Sequence, residues 1–259
     1  TLTVKAVTHS STVDRGSYTL FGATGPGSAL DLSTITSIDA SGDHWGAVVQ
    51  TISASDGGQV DLSGLGSIRG KDGNDWLEFA IDSGGQIDLS AVTIVTAGHT
   101  RFAVDAPTFS LAKLESAAGV SFDMRAEGST LTMPVLTSQD GGEHHVPANG
   151  TFSLPVLETM DSCTLDIAAG GAIQAPSLVS FTRGTVLLTS QTAFGTGTLT
   201  DVDDSSIILQ AGATFAVGAP TYSSTVDRGS YTLFGATGAG SELDLSSITR
   251  ALSEIKPRY

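Results

Sequence analysis

The sequence predicts an all-β solenoid of about ten coils, on three observations. An apolar anchor recurs at Leu2, Leu30, Val60, Ile87, Phe109, Leu131, Phe152, Ile173, Phe194, Phe215 and Leu243, in steps of 21 to 30 residues. Around each anchor, apolar and polar residues alternate with the period of two that a strand imposes, and no long stretch repeats at three and four as a helix would. Glycines punctuate the steps, as at Gly57-Gly58, Gly84-Gly85 and Gly170-Gly171, where the chain must turn. Short strands and turns on such a period bury their inward side chains by stacking each coil on the next.

The early coils share one pattern: GSALDLSTI (27–35), GGQVDLSGL (57–65) and GGQIDLSAV (84–92). Alternation turns Leu30, Leu32 and Ile35 one way and Asp31 and Ser33 the other. The middle coils, PTFSLAKL (107–114), GSTLTMPVL (128–136), GTFSLPVL (150–157) and GGAIQAPSL (170–178), keep the pattern with fewer acids. A second alternating pair precedes several anchors by eight and six residues: Phe79 and Ile81, Leu165 and Ile167, Val186 and Leu188, Ile207 and Leu209. That pair predicts a second strand per coil. Parallel strands stack ~4.8 Å apart, so ten coils span roughly 48 Å.

The last coil, GSELDLSSI (240–248), returns to the first pattern because residues 1–36 and 214–249 are near copies, differing at 8 of 36 positions. The offset is 213 residues, which implies a tandem array holding one unit and the start of the next. The solenoid is therefore expected over 1–249, with 250–259 (RALSEIKPRY) as a tail outside the repeat.

The run TFSLPVLETMDSCTLDIAAGGAIQAPSLVSF (151–181) resembles the L-domains of receptors, and GGQVDLSGLGSI and GGQIDLSAV resemble the coils of very large repetitive surface and secreted proteins of aquatic bacteria. The resemblance implies a right-handed parallel β-helix, secreted or on the cell surface, that extends, displays and adheres. Its partners would be neighbouring repeat units of the same or another chain. The rival fold is a leucine-rich-repeat horseshoe, whose coils also run to about 21 residues. Against it, the usual asparagine is missing from every coil: the chain has only Asn74 and Asn149.

Composition removes several function classes. The chain carries 27 Asp and Glu against 12 Lys and Arg, a net charge of −15. A phosphate-neutralising face needs clustered cations, so nucleic acid is excluded as a partner. No apolar run approaches the ~20 residues of a membrane span. One cysteine, Cys163, makes neither a disulfide framework nor a zinc cluster.

Candidate sites are few. Asp31, Asp61 and Asp88 fall at one outward position on successive coils, where carboxylates about 5 Å apart repel unless cations intervene; the ladder reads either as a binding face or as a solvated acidic one. KDGNDWL (71–77) resembles a single copy of the glycine-aspartate nonapeptide of calcium-binding β-rolls, which makes Asp72, Asn74 and Asp75 candidate calcium ligands. Hard Ca²⁺ wants six or more oxygens, and these three supply about half of that number. DGGEHH (140–145) offers Asp140, Glu143, His144 and His145, but adjacent histidines of a strand point to opposite faces, and His144 sits at an inward register.

Support for catalysis is slight. Asp201, Asp203 and Asp204 lack a basic partner, and Gly98-His99-Thr100-Arg101 only faintly resembles the Gly-His-Gly segment of β-helical polysaccharide hydrolases. An ice-binding face would need Thr-x-Thr on successive coils, whereas the outward positions run Asp31, Asp61, Asp88, Ser110, Thr132, Ser153 and Gln174. Trp45 and Trp76 are candidate sugar platforms. The reading is a non-enzymatic structural and adhesive segment; its rival is a polysaccharide-binding or polysaccharide-cleaving β-helix.

Overall fold

The computed structural model describes residues 2–10, 16–42, 47–82, 84–197, 199–225 and 232–253. Among these residues the fold is all-β, with no helix and therefore none long and apolar enough to cross a membrane. Every strand ladder is parallel; the antiparallel exception is one isolated bridge, Lys71 to His99. Each strand pairs with the strand one repeat further along, and the strands fall into three columns.

The first column carries the anchors. Leu2, Leu30, Val60 and Ile87 pair in one four-stranded sheet, and Phe109, Leu131, Phe152, Ile173 and Phe194 in a five-stranded one. Phe215 pairs with Leu243 in a separate two-stranded sheet. The anchors are thus three ladders rather than one. Gly58 and Gly85 approach the carbonyls of Ala23 and Ala54 so closely that an added Cβ would lie 2.2 Å away. Pro107 occupies the corresponding place before Phe109 and cannot repeat that approach, so the path changes where the ladder breaks. At the second break the side chains still stack, Phe194 and Phe215 lying 5.9 Å apart with ring planes nearly parallel at 9°.

A tight turn follows most of the first-column strands. The Ile35 N–H donates to the Leu32 carbonyl at 2.9 Å, and Leu65 to Leu62, Leu114 to Leu111 and Leu178 to Ala175 repeat the bond. Both apolar residues of each turn enter the core, which is why the motif reads L-x-x-L.

The third column is the pair expected before the anchors, and its ladder is unbroken. Phe21, Ile52, Phe79, Phe102, Phe122, His144, Leu165, Val186, Ile207 and Phe234 pair in sequence. Strand spacing sets the ring spacing. Phe79 and Phe102 stack at 5.0 Å, Phe102 and Phe122 at 5.4 Å, and His144 continues the stack at 5.6 Å from Phe122.

Between them runs a second column that the sequence reading did not single out. His9, Ile38, Ile68, Val95, Ala117, Gln139, Met160 and Phe181 pair in order. In Ser138–Val146 and Thr159–Ile167 the second and third columns merge into single nine-residue strands. The two columns thereby join into one curled sheet of 16 strands. At the corner a left-handed backbone recurs from repeat to repeat: Gly119 (φ +67°), Gly141 (+71°), Ser162 (+54°), Arg183 (+52°) and Asp204 (+56°).

Pairing also runs past residue 249. Arg250–Ser253 lies parallel to Thr221–Ser224. The rest of the expected tail, 254–259, lies outside the described residues, as does Trp45.

Candidate functional site

The acidic ladder has the register the sequence predicts: Asp31 pairs with Asp61, and Asp61 with Asp88. Each carboxylate also has local work. Asp31 Oδ1 accepts from the Ser33 hydroxyl at 2.6 Å and from its N–H at 3.1 Å, while Asp61 and Asp88 accept from the N–H groups of Ser63 and Ser90, each at 2.9 Å. The same bond joins Asp244 to Ser246 at 2.8 Å. These are Asx turns, in which aspartate opens a bend by capping the residue two positions on. The Ser33 hydroxyl, then its N–H, hold the Asp31 carboxyl below the usual range. The recurrent D-L-S is a turn signal as well as a column of charge.

Asp72, Asn74 and Asp75 are directed to different partners. Asp72 pairs with Arg69 at 3.2 Å and accepts from the Gly42 N–H at 3.1 Å, at the surface. Asp75 is buried and accepts from the Val48 N–H at 2.9 Å, while Asn74 is exposed on the turn between them. Among the described residues no group of three or more His, Cys, Asp or Glu side chains is placed to hold a metal ion.

A mixed polar groove of about 280 Å³ lies on the outward face of the third column, between Trp76 and Asp166. Strand register builds it. Glu78 pairs with Arg101, and Arg101 with Ser121, while two residues along, at the next outward position, Asp123, His145 and Asp166 follow on three successive strands. Arg101 Nε donates to Glu78 Oε2 at 2.6 Å, and its guanidinium carbon lies 5.5 Å from the centre of the Trp76 ring. Trp76 also stacks on His99 at 5.0 Å, so the indole already has two neighbours and is no open platform. His145 Nδ1 lies 2.9 Å from Asp166 Oδ2, and Arg125 ties Asp123 at 2.9 Å to Asp82 at 3.6 Å.

Carboxylates outnumber guanidinium groups here, so the groove repels uronates and other anions and offers acceptors to hydroxyl or ammonium donors. Of these residues the sequence reading had singled out Trp76, Glu143, His144 and His145. Glu78, Asp123 and Asp166 carry no motif, and the GHTR segment pointed to Arg101 for a different reason.

The adjacent histidines do point to opposite faces. His144 is buried with both ring nitrogens unpartnered, and burial pushes its pKa from 6.5 down to about 4. Cys163 is buried as well; its thiol donates to the Asp161 carbonyl at 3.2 Å, and burial pushes its pKa up. Asp203 and Asp204 accept from the N–H groups of Ser223 and Thr225, both at 2.7 Å, which spends them on the following loop. Each first-column strand presents two outward positions, not the one counted from sequence. Thr108 with Ser110, Thr130 with Thr132, and Thr151 with Ser153 make a short hydroxyl ladder that ends at Ala172 and Gln174.

No protein-family model, curated protein or solved structure matches the chain.

Proposed function

We propose that the chain is a right-handed parallel β-solenoid that serves as a non-enzymatic structural and adhesive segment of a large secreted or cell-surface repeat protein. One observation supports this above the others: the two near-identical segments, 213 residues apart, take up equivalent positions in the strand columns. The ring pair of His9 and Phe21, 5.0 Å apart at 67°, recurs as Tyr222 and Phe234, 4.8 Å apart at 65°. A chain whose second copy restarts the same packing is suited to indefinite extension.

The test is a chain of two 213-residue units measured by small-angle X-ray scattering. Nine repeats at ~4.8 Å should lengthen the rod by roughly 43 Å at constant cross-section. A particle that thickens instead of lengthening overturns the reading.

The groove favours a second reading, binding of a neutral or amino-bearing polysaccharide. The observation behind it is the Asp123, His145 and Asp166 column beside Arg101 and Glu78. A panel of soluble glycans, read by calorimetry and by release of reducing ends, separates the two. Silence across the panel supports the scaffold; saturable binding lost in Asp166→Ala supports the second reading.

A further inference from the structure

One layer of the core departs from its neighbours at three places together. Met133 stands where Leu111 and Leu154 stand in the coils on either side. Gln139 occupies the second column between Ala117 and Met160, and His144 occupies the third between Phe122 and Leu165. All three are buried, as is Met160 in the next coil. The four side chains line one core space of about 10 Å³, room for a single water-sized body. Two of the chain's three methionines are among them, so thioether sulfur is concentrated where the imidazole lies.

These donors suit a soft ion better than a water. His144 has both ring nitrogens unpartnered among the described residues, and burial keeps the ring neutral at neutral pH, with a lone pair to give. Gln139 spends its amide nitrogen on the carbonyls of Val120 and Gly141. A buried water needs several polar partners, and thioethers are weak acceptors. An imidazole with two thioethers is instead a donor set that soft cations prefer. Among the described residues no carboxylate lines the space, so nothing there offsets a second positive charge, and a monovalent ion costs least to bury. The imidazole itself destabilises the bare fold, since a phenylalanine would continue the column without unpaired nitrogens. Phe122 and His144 also line the outer groove, so the two spaces share a wall. On the groove side, Asp123, Glu143 and Asp166 draw cations to that wall.

We propose that His144, Met133 and Met160 form a binding site for one monovalent soft metal ion of the copper(I) class. One ring nitrogen of His144 and the two thioether sulfurs are the ligands, and the other nitrogen keeps the ring proton. The ion ties Met133 and His144 of one coil to Met160 of the next, so it stabilises the folded chain as it fills the site. The site goes beyond the scaffold and glycan readings, neither of which uses the inward face of these strands.

The experiment titrates the 259-residue chain with copper(I) under argon against a coloured copper(I) chelator, alongside four variants. Met133→Leu and Met160→Leu each remove a sulfur at nearly constant volume, and His144→Phe removes the imidazole. Cys163→Ser removes the buried thiol, which does not line the space. The parent and Cys163→Ser should bind one ion per chain and melt at a higher temperature with it than without. Each ligand variant should bind more than about a hundredfold more weakly, beyond the usual cost of a displaced outer partner, and should lose the melting shift. Zinc should produce neither effect, because it favours thiolate, imidazole and carboxylate in a tetrahedral set. A parent that takes up no copper(I), as when the space holds only water, overturns the proposal. So does uptake that survives in His144→Phe, uptake lost in Cys163→Ser, or zinc bound as tightly as copper(I). Circular dichroism checks that each variant is folded; if one methionine variant unfolds, the other and His144→Phe carry the test.

Discussion

His144 lies against Phe122 with ring centroids 5.6 Å apart, an imidazole occupying the next place in a column of phenylalanines. Phe152 meets it edge-on at 6.4 Å, and the space beside it is only about 10 Å³. The pKa, pushed from 6.5 down to about 4, gives a signed expectation. Above pH 6.5 the ring is neutral folded and unfolded, and contributes no pH dependence. Between 6.5 and 4 only the unfolded chain takes the proton, so stability falls with pH by about 3 kcal/mol in all. His144→Phe should remove that part of the slope in urea denaturation at pH 7 and 4.5. It should also gain about 1–3 kcal/mol at pH 7, because two unpartnered buried nitrogens disappear. An unchanged slope would show that the imidazole reaches water.

Phe102 stands in the middle of the same column, between Phe79 and Phe122 and fully buried. Phe102→Ala should cost about 3–5 kcal/mol, since strands fixed on both sides cannot close the void. Leu131 is equally buried, between Phe109 and Phe152, and Leu131→Ala should cost about 2–5 kcal/mol by the same argument. Chemical denaturation reads both, and a loss under ~1 kcal/mol would place the residue at the surface.

Gly119 combines a backbone at φ +67° with an added Cβ that would sit 1.8 Å from the Gly98 carbonyl oxygen. Gly119→Ala should cost about 3–5 kcal/mol, from left-handed strain and from pushing two chains apart. Ser162 holds the same corner two repeats on without a glycine, so Ser162→Ala should cost under about 1 kcal/mol. Equal losses at the two sites would contradict the close approach.

Asp61 tests whether the acidic column caps turns. Asp61→Asn keeps an acceptor for the Ser63 N–H and should be nearly neutral; Asp61→Ala leaves that bond unmade and should cost about 1 kcal/mol. If both variants gain stability equally, relief of repulsion from Asp31 and Asp88 dominates instead.

The columns divide cleanly into those legible in sequence and those not. The first and third alternate apolar and polar residues over three or more positions, so Leu30, Val60 and Ile87, or Phe79, Phe102 and Phe122, announce themselves. The second column buries one residue per short strand, and its rungs run from Ile68 to Ala117 to Gln139. No single residue type marks it. Gln139 is tolerated there because its amide donates to the carbonyls of Val120 and Gly141 at 3.2 and 2.9 Å, a compensation invisible in sequence. The left-handed corner passes from Gly119 and Gly141 to Ser162 and Arg183, so its glycine signal fades midway. The groove was hidden for another reason. Arg101, Asp123, His145 and Asp166 lie about a repeat apart, and only strand register brings them side by side. In D-L-S the two-residue step from Asp31 to Ser33 is a local turn signal that needs no partner strand to be legible.

The two nine-residue strands have a mechanical consequence. From Ser138 to Val146 and from Thr159 to Ile167 the ladder runs past the corner with a single step at Gly141 and Ser162, whereas the outermost repeats are tied by strands of two to seven residues. A tether pulled from its two termini loads one row of hydrogen bonds after another, and the shortest rows yield first. The molecule would therefore unravel inward from both ends and stall at 138–167, leaving a folded remnant that can guide the lost turns back when tension drops.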